Sequence, residues 1–255
     1  MTVQIFTFYL ALLGTVLGSF YNVVALRIPE GKSIVAPRSS CPKCGHQLTA
    51  WELIPVLSYF IQRGKCRQCK VRISPVYPFF EFLTGVLFAL APLAVGLNGE
   101  LIIALTLISM LVIITVSDLA YMIIPDKVLM FFAGLFLIER IFIPLIPWWD
   151  SLAGAAVGFI LLLLIAVVSK GGMGGGDIKL FALVGFVLGV KMLLLSFFLS
   201  TLFGAFFGVI GLLLGSIKRK QTIPFGPFIA LGTLVAYFFG DYLIEEYMSL
   251  LTSGI

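Results

Sequence analysis

The feature that most constrains this chain is a succession of apolar runs on the scale of a lipid bilayer. A helix crossing roughly 30 Å of hydrocarbon needs about 20 apolar residues. Runs of this kind recur near residues 4–26, 76–97, 101–120, 127–146, 151–169, 178–190, 192–215 and 226–247. Of the 255 residues, 60% are hydrophobic and only 11% are charged, where a soluble domain carries about 25% charged residues. The expected fold is an all-α polytopic membrane protein of about eight transmembrane helices. No Lys or Arg precedes Arg27, so the first run lacks the positive n-region of a cleaved signal and reads as a retained span.

One stretch interrupts the apolar pattern. Residues 27–75 hold all four cysteines, the single histidine and nine of the 17 basic residues. The expected organisation is a first span (1–26), a small polar insert (27–75) and a membrane domain (76–255). If the insert is cytoplasmic, alternation of eight spans places 15 basic residues inside. These are the nine of the insert with Lys127, Lys170, Lys179, Lys218, Arg219 and Lys220, against only Arg140 and Lys191 outside. That bias sets the orientation, with both chain ends and Asp241, Glu245 and Glu246 extracytoplasmic. The net charge of +5 thereby reports topology, and no nucleic-acid partner is expected.

The cysteines form two CxxC pairs, Cys41 with Cys44 and Cys66 with Cys69, separated by 21 residues. Each pair offers two thiolates from a tight turn, and four together suit tetrahedral Zn²⁺. Four sulfurs close the shell, so the site is expected to be structural. Two disulfides are the competing reading, which a reducing cytoplasm disfavours. His46 reads as a solvated surface residue before it reads as a substitute ligand.

Ionisable residues within membrane spans are costly and mark function. Asp118 falls at the cytoplasmic end of the third expected span, in TVSDLAYMIIPD, and Asp177 opens the sixth, in GGMGGGDIKL. Two carboxyl groups at one shallow depth can share a proton: one draws a proton from water while the other polarises a peptide carbonyl. Asp177, near a helix N-terminus, is the readier base, and Asp118, near a C-terminus, carries the shared proton. Gly174, Gly175 and Gly176 are expected to permit close backbone approach and positive φ. Asp126, after Pro125, reads first as the N-cap of the fourth span. Glu81 is expected to pair with a cytoplasmic cation such as Lys179 or to help receive substrate.

Together these residues resemble the type IV prepilin peptidase family of GxGD aspartic proteases. GSFYNVVALRIP (residues 18–29) is similar to the family's opening. CPKCG (41–45), WELIPVLS (51–58), RGKC (63–66) and RISPVYP (72–78), followed by Glu81, are similar to its cytoplasmic domain. Asp118 with Pro125 and Asp126, then GGGDIKL (174–180), resemble its two catalytic segments, and PFGPFIALG (224–232) a C-terminal one. The resemblance implies catalysis by Asp118 and Asp177, with Gly174, Gly176, Asp126, Lys179 and Glu81 in support. It implies removal of a short basic leader after a glycine from prepilins or pseudopilins, as in type IV pilus assembly, protein secretion or competence. It also implies N-methylation of the new N-terminus with S-adenosylmethionine. The aromatic pair Phe79 and Phe80 stands where the family more often has aliphatics. A preflagellin peptidase would lack the cysteine module. The reading from another class is an ion-coupled transporter with a zinc-binding cytoplasmic loop.

Overall fold

A computed structural model describes residues 2–170, 172–215 and 223–253, the side chains of residues 2, 3 and 253 aside. Gly171 and the basic group Lys218, Arg219 and Lys220 lie outside the described residues. The described chain is helical: α1 (Thr2–Arg27), a 3₁₀ turn (Ala50–Leu53), α2 (Leu57–Ile61), α3 (Val76–Val95), α4 (Glu100–Tyr121), α5 (Asp126–Phe142), α6 (Asp150–Val168), α7 (Gly175–Leu213) and α8 (Gly226–Ser253). Its only β pairing is two isolated bridges in the cysteine insert. The chain forms two compact units, Met1–Tyr121 and Met122–Ile255.

In the first unit α1, α3 and α4 pack together and the insert joins α1 to α3. Lipid supplies no hydrophobic drive between helices, so close backbone contact through small residues takes its place. Gly14 and Gly18 of α1 provide that contact. A Cβ on Gly14 would stand 2.8 Å from the Thr84 carbonyl of α3, and one on Gly18 would stand 3.0 Å from the Glu81 Cα. Tyr21 and Ser109 share a buried hydrogen bond of 2.6 Å between α1 and α4. At the C-terminal end of α4, Tyr121 Oη lies 3.1 Å from both the Leu26 carbonyl and Glu30 Oε1.

The second unit repeats the device. Gly154 and Gly158 of α6 press on the backbone of α7, where added Cβ atoms would strike the carbonyls of Gly185 and Phe181. The 39-residue α7 would run about 58 Å if straight. It is not straight. Gly189 leaves helical geometry with φ 75° and ψ 173°, and Phe181 and Phe197, eight residues to either side, meet edge-on with centroids 6.0 Å apart. A straight helix would hold them about 24 Å apart, so the chain turns back at Gly189.

This differs in detail from the expected eight spans. Six helices are long and apolar enough to cross a membrane, namely α1, α3, α4, α6, α7 and α8. The expected sixth and seventh spans are the two halves of α7, residues 175–188 and 190–213. The expected fourth is α5, whose 17 residues reach only about 26 Å. Side chains from two neighbouring helices close the turn at Gly189. Arg140 of α5, itself buried, donates to the Val187 carbonyl at 2.5 Å. Asp150 of α6 accepts the Val190 N–H at 3.2 Å. One residue serves the orphan carbonyls that end the first half and the other the orphan amides that start the second.

Candidate active site and metal centre

The two CxxC turns of the insert share one plan. Cys41 N–H donates to the His46 carbonyl and Gly45 N–H to the Cys41 carbonyl, both at 2.9 Å. Cys66 N–H likewise reaches the Val71 carbonyl (2.8 Å) and Lys70 N–H the Cys66 carbonyl (3.0 Å). The fourth residue after each leading cysteine, Gly45 or Lys70, takes positive φ, a conformation that costs a lysine more than a glycine. The four sulfurs all lie within 4.8 Å of one another. Cys41 and Cys69 are 3.7 Å apart and Cys44 and Cys66 are 3.9 Å apart.

Zn–S bonds of about 2.3 Å at tetrahedral angles imply S···S edges of about 3.8 Å, so the donor set fits a metal ion of this class. The chemistry of the thiols agrees. N–H groups of Cys44 and Lys43 hold the Cys41 thiol down to about 6. Those of Cys69 and Gln68 lower Cys66. Cys44 accepts the His46 N–H, yet desolvation and the neighbouring sulfurs push it up to about 11. Four thiolates so close repel one another, and a divalent cation among them supplies the compensating charge.

His46, with its side chain 27% exposed, is held by a carboxylate at the edge of the insert. Its Nε2 lies 3.1 Å from Glu52 Oε2. Glu52 is buried and also accepts the Thr49 N–H and hydroxyl, each at 2.9 Å. The Thr49 N–H chiefly, together with the Thr49 hydroxyl and His46, holds the Glu52 carboxyl below the usual carboxylate range.

Of the expected catalytic pair, Asp118 belongs to the first unit and Asp177 to the second. Asp118 is buried in the last turn of α4, among fourteen buried residues of that helix. Asp177 is half-buried in the first turn of α7, where its Oδ2 accepts the N–H of Gly174, the N-cap residue, at 3.2 Å. That bond fixes the carboxyl over the start of its own helix. Gly176 is required by close approach, since a Cβ there would meet the Ile124 Cβ at 2.8 Å. The expected positive φ is not found at Gly174, Gly175 or Gly176, because Gly174 is extended and the other two are already helical.

Two supporting residues meet. Lys179 Nζ contacts both carboxylate oxygens of Asp126, at 2.7 and 2.8 Å. Asp126 is the first residue of α5 and Pro125 is its N-cap, so the expected capping role is replaced by an ion pair. Glu81 is engaged elsewhere: its Oε2 accepts the Val56 N–H at 2.7 Å. Val56 sits at φ 62° and ψ −55°, with Leu57 N–H bonded to the Pro55 carbonyl at 2.6 Å. This is the rare, strained form of γ-turn, in a β-branched residue that disfavours positive φ, and Glu81 anchors it.

Comparison with known proteins decides the family. Residues 12–95 match the bacterial peptidase A24 N-terminal domain, and residues 105–209 match the type IV leader peptidase family. A prepilin leader peptidase/N-methyltransferase of Bacillus subtilis is 48% identical over 241 residues, covering 94% of this chain and 97% of that protein. The chain belongs to the type IV leader peptidase family. Proteins of the same name from Pseudomonas aeruginosa (34% over 265 residues, 93% of this chain and 91% of the relative) and Aeromonas salmonicida (32% over 268 residues, 93% and 92%) are similar along their length as well. No solved structure matches the chain.

As a leader peptidase, the chain carries contacts that motif reading did not reach. Arg140 enters the sequence reading only in the charge count, and Asp150 not at all, yet both serve the Gly189 turn. Their spacing from residues 187 and 190 carries no local signal, because the partners are on other helices. The glycine pairs at 14 and 18 and at 154 and 158 do carry one, the small-residue spacing of packed membrane helices.

Proposed function

We propose that this chain is a membrane aspartic endopeptidase that removes the short basic leader of prepilins or pseudopilins after a glycine and N-methylates the new N-terminus. The observation that carries the reading is near full-length identity of 48% to a prepilin leader peptidase/N-methyltransferase. Asp118 and Asp177 supply the carboxyl pair. Asp177, which accepts the Gly174 N–H, takes a proton from the attacking water, while Asp118 carries the shared proton toward the scissile carbonyl. Gly174 and Gly176 shape the turn that presents Asp177, and the Asp126–Lys179 pair fixes the start of α5 against the start of α7. Glu81 holds the insert's strained turn. The transporter reading of the same carboxylates has no support among these relatives.

Cys41, Cys44, Cys66 and Cys69 hold one structural Zn²⁺. S-adenosylmethionine, implied by the methyltransferase naming, supplies an electrophilic methyl group on sulfur when bound. The protein lies in the cytoplasmic membrane, with the insert and both aspartates on the cytoplasmic side and both termini outside. Its partners are the prepilin, whose apolar helix lies among the spans, and the bilayer. Two ion pairs of the second unit support the alternation. Lys179 with Asp126 stands at the start of α7 and Lys191 with Asp241 just beyond the Gly189 turn, the two ends that the alternation assigns to opposite sides.

The test is mass spectrometry of a prepilin incubated with purified full-length protein in detergent, with and without S-adenosylmethionine. Cleavage after glycine, with a methyl group replacing one hydrogen of the new N-terminus only when the donor is present, is expected. Undiminished cleavage by the Asp118→Asn, Asp177→Asn double variant overturns the catalytic assignment.

A further inference from the structure

Methyl transfer, as proposed above, needs a place for its donor, and the sequence holds no glycine-rich nucleotide loop to provide one. The first unit holds a cavity of about 540 Å³ between the cysteine insert and the adjoining ends of α1 and α3. That volume falls in the range of small-molecule sites. Its walls combine groups that rarely share a purely structural cleft. Lys43 and Arg72 line it, and neither is in an ion pair among the described residues. Glu81 brings a carboxylate, and Tyr59 and Tyr77 bring aromatic rings.

Asn22 is the sharpest sign of an absent ligand. It lines the same cavity and is only 5% exposed. Its Nδ2 donates to the Tyr77 carbonyl at 3.2 Å, whereas its Oδ1 has no hydrogen-bond partner among the described residues. A buried acceptor without a donor costs about 1–3 kcal/mol, a cost that a ligand N–H removes.

The mixture of charges selects the ligand. A phosphate would be repelled by Glu81, and a basic leader by Lys43 and Arg72. A zwitterion bearing one further cation satisfies all of them. We infer that this cleft is the S-adenosylmethionine site, an inference that rests on the methyltransferase reading. Lys43 and Arg72 receive the amino-acid carboxylate, and Asn22 Oδ1 accepts an amine N–H. Tyr59, Tyr77 and Glu81 face the sulfonium, which aromatic faces and carboxylates both attract. The demethylated product, S-adenosylhomocysteine, lacks that charge and is held more weakly.

Equilibrium dialysis of the full chain in detergent, with S-adenosylmethionine and S-adenosylhomocysteine as probes, tests the site. Arg72→Ala is expected to weaken both ligands about tenfold or more, as for loss of a charged hydrogen bond. Glu81→Gln is expected to weaken S-adenosylmethionine alone and so erase the preference for it over the product. Metal content and thermal unfolding show whether each variant is folded. Ultraviolet cross-linking of labelled donor to the unaltered protein needs no variant, and is expected to mark peptides within residues 19–81. Folded variants that bind both ligands as before, or a cross-link within residues 122–255, overturn the cleft as the site and leave the methylation reading standing. An unaltered protein that neither binds the donor nor methylates a cleaved prepilin overturns both.

Discussion

Lys179 grips both carboxylate oxygens of Asp126 across 53 residues of sequence, two positions along the helix from Asp177. Both partners are more than half exposed, so the pair contributes about 0.5 kcal/mol or less to stability. Its value lies in holding two helix starts in register. Lys179→Met or Asp126→Ala is therefore expected to leave the unfolding temperature within a few degrees while lowering the cleavage rate at least about tenfold. The exchanged pair, Asp126→Lys with Lys179→Asp, recovers part of that loss. Equal losses of stability and rate in the single variants would count against a positioning role.

Replacing any one of Cys41, Cys44, Cys66 or Cys69 by Ser is expected to reduce bound zinc from one per chain to none. Zinc contributes on the order of 10 kcal/mol to the fold of such small modules, so the insert becomes protease-sensitive while the helical content of the spans persists. Elemental analysis and limited proteolysis read the two effects. Retention of the ion by Cys44→Ser with His46 intact would make His46 a ligand after all.

Glu52 gives the insert a dependence on acid. Its carboxyl is held below the usual range by Thr49 and His46. The stability it contributes is thus complete above the unfolded value of about 4.3, and is lost as pH falls from there through the lower folded value. Glu52→Gln is expected to destabilise the insert at pH 7, with the gap narrowing as pH falls below about 4.3 and closing below the folded value. Metal release affects both proteins alike, so the difference between their unfolding temperatures isolates Glu52. A gap that widens on acidification would contradict the assignment.

Gly154→Ala is expected to lower stability by about 1–3 kcal/mol, because the added methyl falls on the Gly185 carbonyl of the packed neighbour. Gly134→Ala in α5 is the control: no described residue lies within 4 Å of its Cβ position, and removing a helical glycine gains about 0.5–1 kcal/mol. Thermal unfolding in detergent should move in opposite directions for the two.

Much of this architecture was legible beforehand, for identifiable reasons. Apolar runs of bilayer length announce helices regardless of what they pack against, and the ends of α1, α3 and α4 fall within a few residues of expectation. The four cysteines were legible because tight CxxC turns fix two sulfurs locally. Long-range choices were not. The sequence reading matches Lys179 to Glu81, whereas packing of α5 on α7 gives it Asp126 instead. His46 looked like a surface residue because its partner Glu52 becomes buried only when the insert folds around it. The turn at Gly189 was visible as a boundary between two apolar runs, but its closure by Arg140 and Asp150 depends on neighbouring helices.

The fold-back at Gly189 leaves residues 175–188 as a rod about 21 Å long, against roughly 30 Å of hydrocarbon. Helix α5, at about 26 Å, falls short as well. One of these short rods begins at Asp126 and the other two residues ahead of Asp177. A membrane meeting such stunted pillars must dimple, or let solvent fill the gap above them. On the catalytic role proposed above for Asp177, truncating these supports would bring its carboxyl to water and give a hydrophilic bond-breaking reaction a foothold below the lipid headgroups.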